Sequence, residues 1–100
     1  MRLSPRIQQT IRRVVRESIG PDARVILFGS RVDDRARGGD IDLLIVTDRA
    51  LEDAAGKELE VAARIQRQLG YLQPLDVLIL DPGTRRLPIH EQALATGVTL

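Results

Sequence analysis

Leu3, Ile7, Ile11, Val14, Val15 and Ile19 recur at helical spacing, with glutamines and arginines between them. A period of three and four residues predicts an amphipathic helix. Ser4 is placed to cap it, Pro5 to occupy its first position, and Gly20-Pro21 to end it. The pattern then changes to short, uninterrupted apolar runs. Residues 24–28 (Arg-Val-Ile-Leu-Phe), 41–47 (Ile-Asp-Leu-Leu-Ile-Val-Thr) and 75–80 (Leu-Asp-Val-Leu-Ile-Leu) predict buried strands. Between the last two runs helical spacing returns: Leu51, Ala55, Leu59, Ala62, Ala63, Ile65, Gln66 and Leu69 predict a helix from Leu51 to Leu69, closed by Gly70. Residues 30–36 are expected to form about one helical turn, broken by Gly38-Gly39. Asp48 and Asp81-Pro82-Gly83 read as turns, and residues 88–95 as a last short helix ending near Gly97.

The predicted order is α-β-β-α-β-α, an α/β (α+β) fold with a three-stranded mixed sheet and flanking helices. The helix between the second and third strands has the length of a right-handed parallel crossover. Parallel pairing would bring Asp40, Asp42 and Asp76 to one edge of the sheet. An antiparallel first strand would deliver Gly29-Ser30 to the same edge.

Composition narrows the class. A chain of 100 residues is expected to be one domain, 1–100, with a single core. Its 43% hydrophobic and 29% charged residues fit a globular chain rather than a disordered one. The net charge of +1 gives no global argument for nucleic acid or an acidic membrane. Phe28 and Tyr71 are the only aromatics, so base-stacking platforms are lacking and no direct nucleic-acid binding is expected. No apolar stretch approaches the ~20 residues of a membrane span. Arg6, Arg12, Arg13 and Arg16 interrupt any signal-peptide core. The absence of cysteine excludes disulfides and thiolate metal sites, and is compatible with the expected cytoplasmic location.

The polar residues at the strand ends change the picture most. Asp40 and Asp42 stand two apart at the start of an apolar run, a spacing that puts both on one face of a strand. Like charges this close repel and raise one another's pKa. A divalent cation removes that cost, and hard carboxylate oxygens suit magnesium. With Asp76 they form a candidate set for one or two Mg2+ ions. Gly29 lets the backbone approach a phosphate, the Ser30 hydroxyl and the N–H groups after it can donate to phosphate oxygens, and Arg31 can neutralise a triphosphate. Together these parts suit attack on the α-phosphate of a nucleoside triphosphate with release of pyrophosphate, Asp76 doubling as the base. Asp33 and Asp34 read as solvated loop residues, and so do Arg35 and Arg37. His90 reads as a surface residue.

Phe28-Gly29-Ser30-Arg31, Asp40-Ile41-Asp42-Leu43-Leu44-Ile45-Val46 and Leu75-Asp76-Val77 resemble the polymerase-β-type nucleotidyltransferase superfamily, and within it the minimal nucleotidyltransferase (MNT) branch. The Gly97-Val98-Thr99-Leu100 tail is similar to that branch as well. The spacer of residues 31–39 is one residue shorter than the branch usually has. The resemblance implies Asp40, Asp42 and Asp76 as magnesium ligands and Gly29, Ser30 and Arg31 as the nucleotide-phosphate site. It also implies a helical HEPN-type toxin as partner, with this chain as the antitoxin that transfers AMP from ATP to a tyrosine of the toxin. With no acceptor-binding segment in view, the acceptor is expected to bind as a separate protein, or a second copy of the chain to complete the cleft. Two alternatives stand beside this reading: neutralisation of the toxin by binding alone, and nucleotidyl transfer to a small molecule.

Overall fold

The computed structural model describes residues 1–35 and 39–100. Helix α1 (Pro5–Ser18) leads to β1 (Arg24–Phe28), a single 3₁₀ turn (Gly29–Val32), β2 (Ile41–Val46), α2 (Ala54–Leu69), β3 (Leu75–Leu80), α3 (Pro88–Thr96) and β4 (Val98–Thr99). The expected α/β order is present, with one element added. The expected turn over 30–36 is realised over its first half. Ala36, Arg37 and Gly38 lie outside the described residues, and with them the expected loop role of Arg37 and part of the glycine break.

Ser4 caps α1 as expected, its Oγ accepting from the Ile7 N–H at 3.2 Å. The six apolar residues that predicted this helix, Leu3 to Ile19, are all buried. The second helix begins later than expected, at Ala54. Asp53 caps it, accepting from the Gly56 N–H at 2.9 Å, while the Leu51 N–H is taken by Asp81 Oδ2 at 2.8 Å. Its buried face is also phased differently from the expected stripe. Val61, Ile65 and Leu69 are inside, and Leu59 is 74% exposed. Leu59 stands two residues before Val61, nearly opposite it around a helix, so it points outward where Val61 points in.

Among the described residues the sheet has four strands in the order β3-β2-β1-β4, not the three expected. β2 and β3 are parallel, as the crossover length predicted; β1 runs antiparallel to both β2 and β4. β4 is two residues long, and Val98 faces Leu27 while Thr99 faces Ile26. It fits because Gly97 precedes it: a Cβ there would collide with the Ile26 side chain and come within 3.0 Å of the Leu27 carbonyl.

Alternation along the strands divides the core in two. Val25, Leu27, Ile41, Leu43, Ile45, Val77 and Ile79 face α1 and α2 and form the main core. Ile26, Phe28, Leu44 and Leu80 face the other way, and Ala93 of the short α3 packs against them. Asp42 and Asp76 alternate onto this second, less covered face. Among the described residues no helix is long and apolar enough to cross a membrane.

Candidate functional site

The site is set by register. Asp42 of β2 is the direct partner of Asp76 on β3 and of Phe28 on β1. Parallel neighbours lie about 4.8 Å apart, so two carboxylates at one register position crowd each other on one face. Asp40 sits just before β2 and is exposed, as is Asp76, whereas Asp42 is half-buried. Burial raises the Asp42 pKa above the ordinary carboxylate value, and the charges of Asp76 and then Asp40 raise it further. Among the described residues none of the three is paired with an arginine, lysine or histidine.

Gly29 closes the site from β1. Its φ is +79°, in the left-handed region, and a Cβ on it would collide with Asp42 Oδ2. The glycine therefore makes room for the carboxylate as well as for any ligand. Ser30 follows in the 3₁₀ turn, half-buried, and among the described residues its hydroxyl has no hydrogen-bond partner. Arg31 is placed differently from a free phosphate clamp. Its Nη1 donates to the Arg2 carbonyl at 2.8 Å and its Nη2 to the Gly39 carbonyl at 2.9 Å. It braces the loop around the serine while adding positive charge there.

Five of the expected residues are thus brought to one sheet edge: Gly29, Ser30, Arg31, Asp42 and Asp76. Asp40 lies close enough to act on Asp42 through its charge. Among the described residues the three carboxylates do not form a closed cluster of three metal ligands. Their chemistry nevertheless fits a divalent cation: hard oxygen donors, uncompensated, with one held at a raised pKa by burial and then by its neighbours.

Two residues read as bland from sequence have defined roles. His90 is buried, not on the surface, because its Nδ1 accepts the Leu87 N–H at 3.0 Å and so caps the start of α3. Asp81 is a turn residue as expected, but a buried one that ties the turn to the start of α2 through Leu51. Sequence reasoning missed Gln73, which is buried and donates to the Gly39 carbonyl at 2.5 Å. A lone glutamine before a proline carries no periodic or motif signal.

Comparison with known proteins agrees with this geometry. The sequence pattern of the nucleotidyltransferase domain matches residues 8–94, from the first helix through all three aspartates, and the chain belongs to that family. No curated protein matches it by sequence. Among solved structures, the toxin–antitoxin complex MntA–HepT superposes with a TM-score of 0.66 at 20% identity, over 96% of this chain and 70% of that one. A mutant of the MntA toxin–antitoxin pair with two aspartate-to-glutamate changes gives 0.69 at 19% identity, over 92% and 70%. A Shewanella oneidensis complex of a tri-AMPylated HEPN toxin with an MNT antitoxin gives 0.59 at 21% identity, over 93% and 70%. At these identities the likeness shows a shared fold.

Proposed function

We propose that the chain is a Mg2+-dependent protein adenylyltransferase, the antitoxin of a toxin–antitoxin pair, which moves AMP from ATP to a tyrosine of a helical HEPN-type toxin. The observation that carries this is the register match of Asp42 with Asp76 beside Gly29-Ser30, at a cost in charge repulsion that a stable fold has no use for. The AMPylated toxin of the similar Shewanella oneidensis complex supports the choice of acceptor.

Asp40, Asp42 and Asp76 would hold the magnesium, which supplies charge neutralisation on the triphosphate and a more acidic nucleophile when bound. The chain's own residues do the rest. Ser30 Oγ, with no partner among the described residues, donates to a phosphate oxygen, and Arg31 adds positive charge behind it. The tyrosine oxygen bonds to the α-phosphorus as the bond to the bridging oxygen breaks. Pyrophosphate leaves with that electron pair, and Asp76, exposed at the strand start, takes the hydroxyl proton.

The test is incubation of the chain with labelled ATP, Mg2+ and the partner toxin. Label should appear on the toxin and vanish with Asp40→Ala/Asp42→Ala. Neutralisation of the toxin by that double variant, with no labelling by the parent chain, would show action by binding alone and sink the proposal. Label on a small-molecule acceptor and none on the toxin would sink it equally.

A further inference from the structure

We propose that Gln73 is a positioning residue for the carboxylate edge: its buried side-chain amide, on a backbone held by Gln66, ties the start of β2 to the start of β3 and so sets where Asp40, Asp42 and Asp76 stand. The inference rests on the metal-dependent reading above.

Gln73 is 7% exposed, and its amide nitrogen donates twice. One hydrogen bond goes to the Gly39 carbonyl at 2.5 Å, in the residue before Asp40; the other goes to the Pro74 carbonyl at 3.0 Å, two residues before Asp76. A single side chain therefore bridges the two segments that carry the acids. Gln66 of α2 grips Gln73 from behind. The Gln73 N–H donates to Gln66 Oε1 at 3.0 Å, and Gln66 Nε2 donates to the Gln73 carbonyl. Arg31 adds its own bond to the Gly39 carbonyl from the side of the phosphate loop. The Gly39 carbonyl is thus anchored from both the α2–β3 connection and the Gly29-Ser30 turn.

The location of this clamp is what gives it a role beyond filling a polar hole. The β2–β3 ladder begins with the Ile41 N–H donating to the Pro74 carbonyl at 3.0 Å. Immediately beside it Asp42 and Asp76 share one register position across the two strands, so their like charges repel across the ladder. A ladder end under repulsion frays first, because it has a bonded neighbour on one side only. Gln73 adds a second cross-link at that end. Groups that orient metal ligands from behind commonly set metal affinity, and losing one costs about 10–100-fold.

The experiment measures Mg2+ affinity of the full chain by calorimetry, beside kcat and KM for transfer. Gln73→Met keeps the volume and removes the amide. With far-UV circular dichroism unchanged, it should bind Mg2+ about 10–100-fold more weakly, and high Mg2+ should restore kcat toward the parent value. A merely structural role would lower the melting temperature and leave Mg2+ affinity as it was, which would overturn the inference. If Gln73→Met does not fold, Gln73→Asn keeps the polarity but withdraws the amide by one methylene, and the same two outcomes decide. Gln68→Ala, on the exposed side of α2, serves as control and should leave Mg2+ affinity unchanged. Loss of binding in Asp42→Asn together with parent-like binding in the Gln73 variants would remove this inference alone. A parent chain that binds no Mg2+ would remove it together with the reading it rests on.

Discussion

At the scale of single residues, two aspartates show opposite uses of one side chain. Asp42 is held where its charge is unwelcome. Its folded-state pKa is raised by burial and by Asp76 and Asp40, so its ionised form costs stability above that pKa, and the cost disappears as pH falls through it toward the unfolded value. Asp42→Asn should therefore melt higher than the parent in the absence of divalent cation at neutral pH, while losing transfer activity; scanning calorimetry and the labelling assay measure the two halves. Asp81 is the reverse case. Its pKa is lowered first by the Leu51 N–H and then by the Thr84 hydroxyl, with the Gly83 N–H adding to both. A lowered folded-state pKa gives stability that is present above the unfolded value and is lost as pH falls through the folded one. Asp81→Asn should be less stable at neutral pH and show a flatter acid limb in urea melts taken over a pH series. Gly29 links backbone to site. Gly29→Ala forces a Cβ into the left-handed region, which costs about 1–2 kcal/mol, and also into the Asp42 carboxylate. Denaturant unfolding should show that loss, and transfer should fall even at temperatures where the variant stays folded.

At the scale of elements, β3 is the edge strand beside the site, and its outer side is covered by side chains rather than by another strand. Glu58 of α2 accepts the Ile79 N–H at 2.7 Å, and Thr84 Oγ1 accepts the Asp81 N–H at 3.0 Å. Glu58→Ala should cost about 1–3 kcal/mol by leaving a backbone donor without its partner, and should promote edge-to-edge association detectable by light scattering at raised concentration. These elements also show what sequence can and cannot reveal. The α1 pattern is legible because six apolar residues keep one period over a whole helix. The three longer strands are legible as apolar runs, and the site acids as breaks at their starts. β4 is not, because two residues have no period; its pairing depends on Gly97 fitting against β1. The start of α2 departs from the apolar pattern because side chains outside that pattern set it. Asp53 caps the helix, and Asp81, far along the chain, holds Leu51, the residue where the pattern starts it. His90 reads as a surface residue in sequence because its partner is the backbone of Leu87, which no side-chain pattern announces. Asp42 and Asp76 meet as the strand order implies, but Gln73, which links the two segments that carry the acids, becomes visible only once the loops are in place.

At the scale of the whole molecule, the proposed metal role would couple ion binding at the carboxylate edge to folding. The unfolded chain has no register to hold Asp42 opposite Asp76, so a divalent cation that binds the folded edge must stabilise the fold. At a free concentration about 100 times the dissociation constant the gain is about 2.7 kcal/mol, and each kcal/mol moves the melting temperature of a chain this size by about 4–8 °C. Mg2+ should therefore raise the melting temperature of the parent, by an increment that grows with its logarithmic concentration. The increment should also depend on pH in a defined direction. Protons compete with the cation at Asp42, whose pKa is raised, so the Mg2+ effect should be largest above that pKa and shrink as pH falls through it. Asp42→Asn removes the ligand and the repulsion together. Its melting temperature without metal should exceed that of the parent, and adding Mg2+ should change it little, so the order of the two proteins narrows or inverts as the ion is titrated in. Thermal melts of both proteins across an Mg2+ series at two pH values measure every part of this. Parallel responses to Mg2+ in the parent and in Asp42→Asn would mean that the ion acts elsewhere on the surface and that the repulsion at the sheet edge has some other purpose.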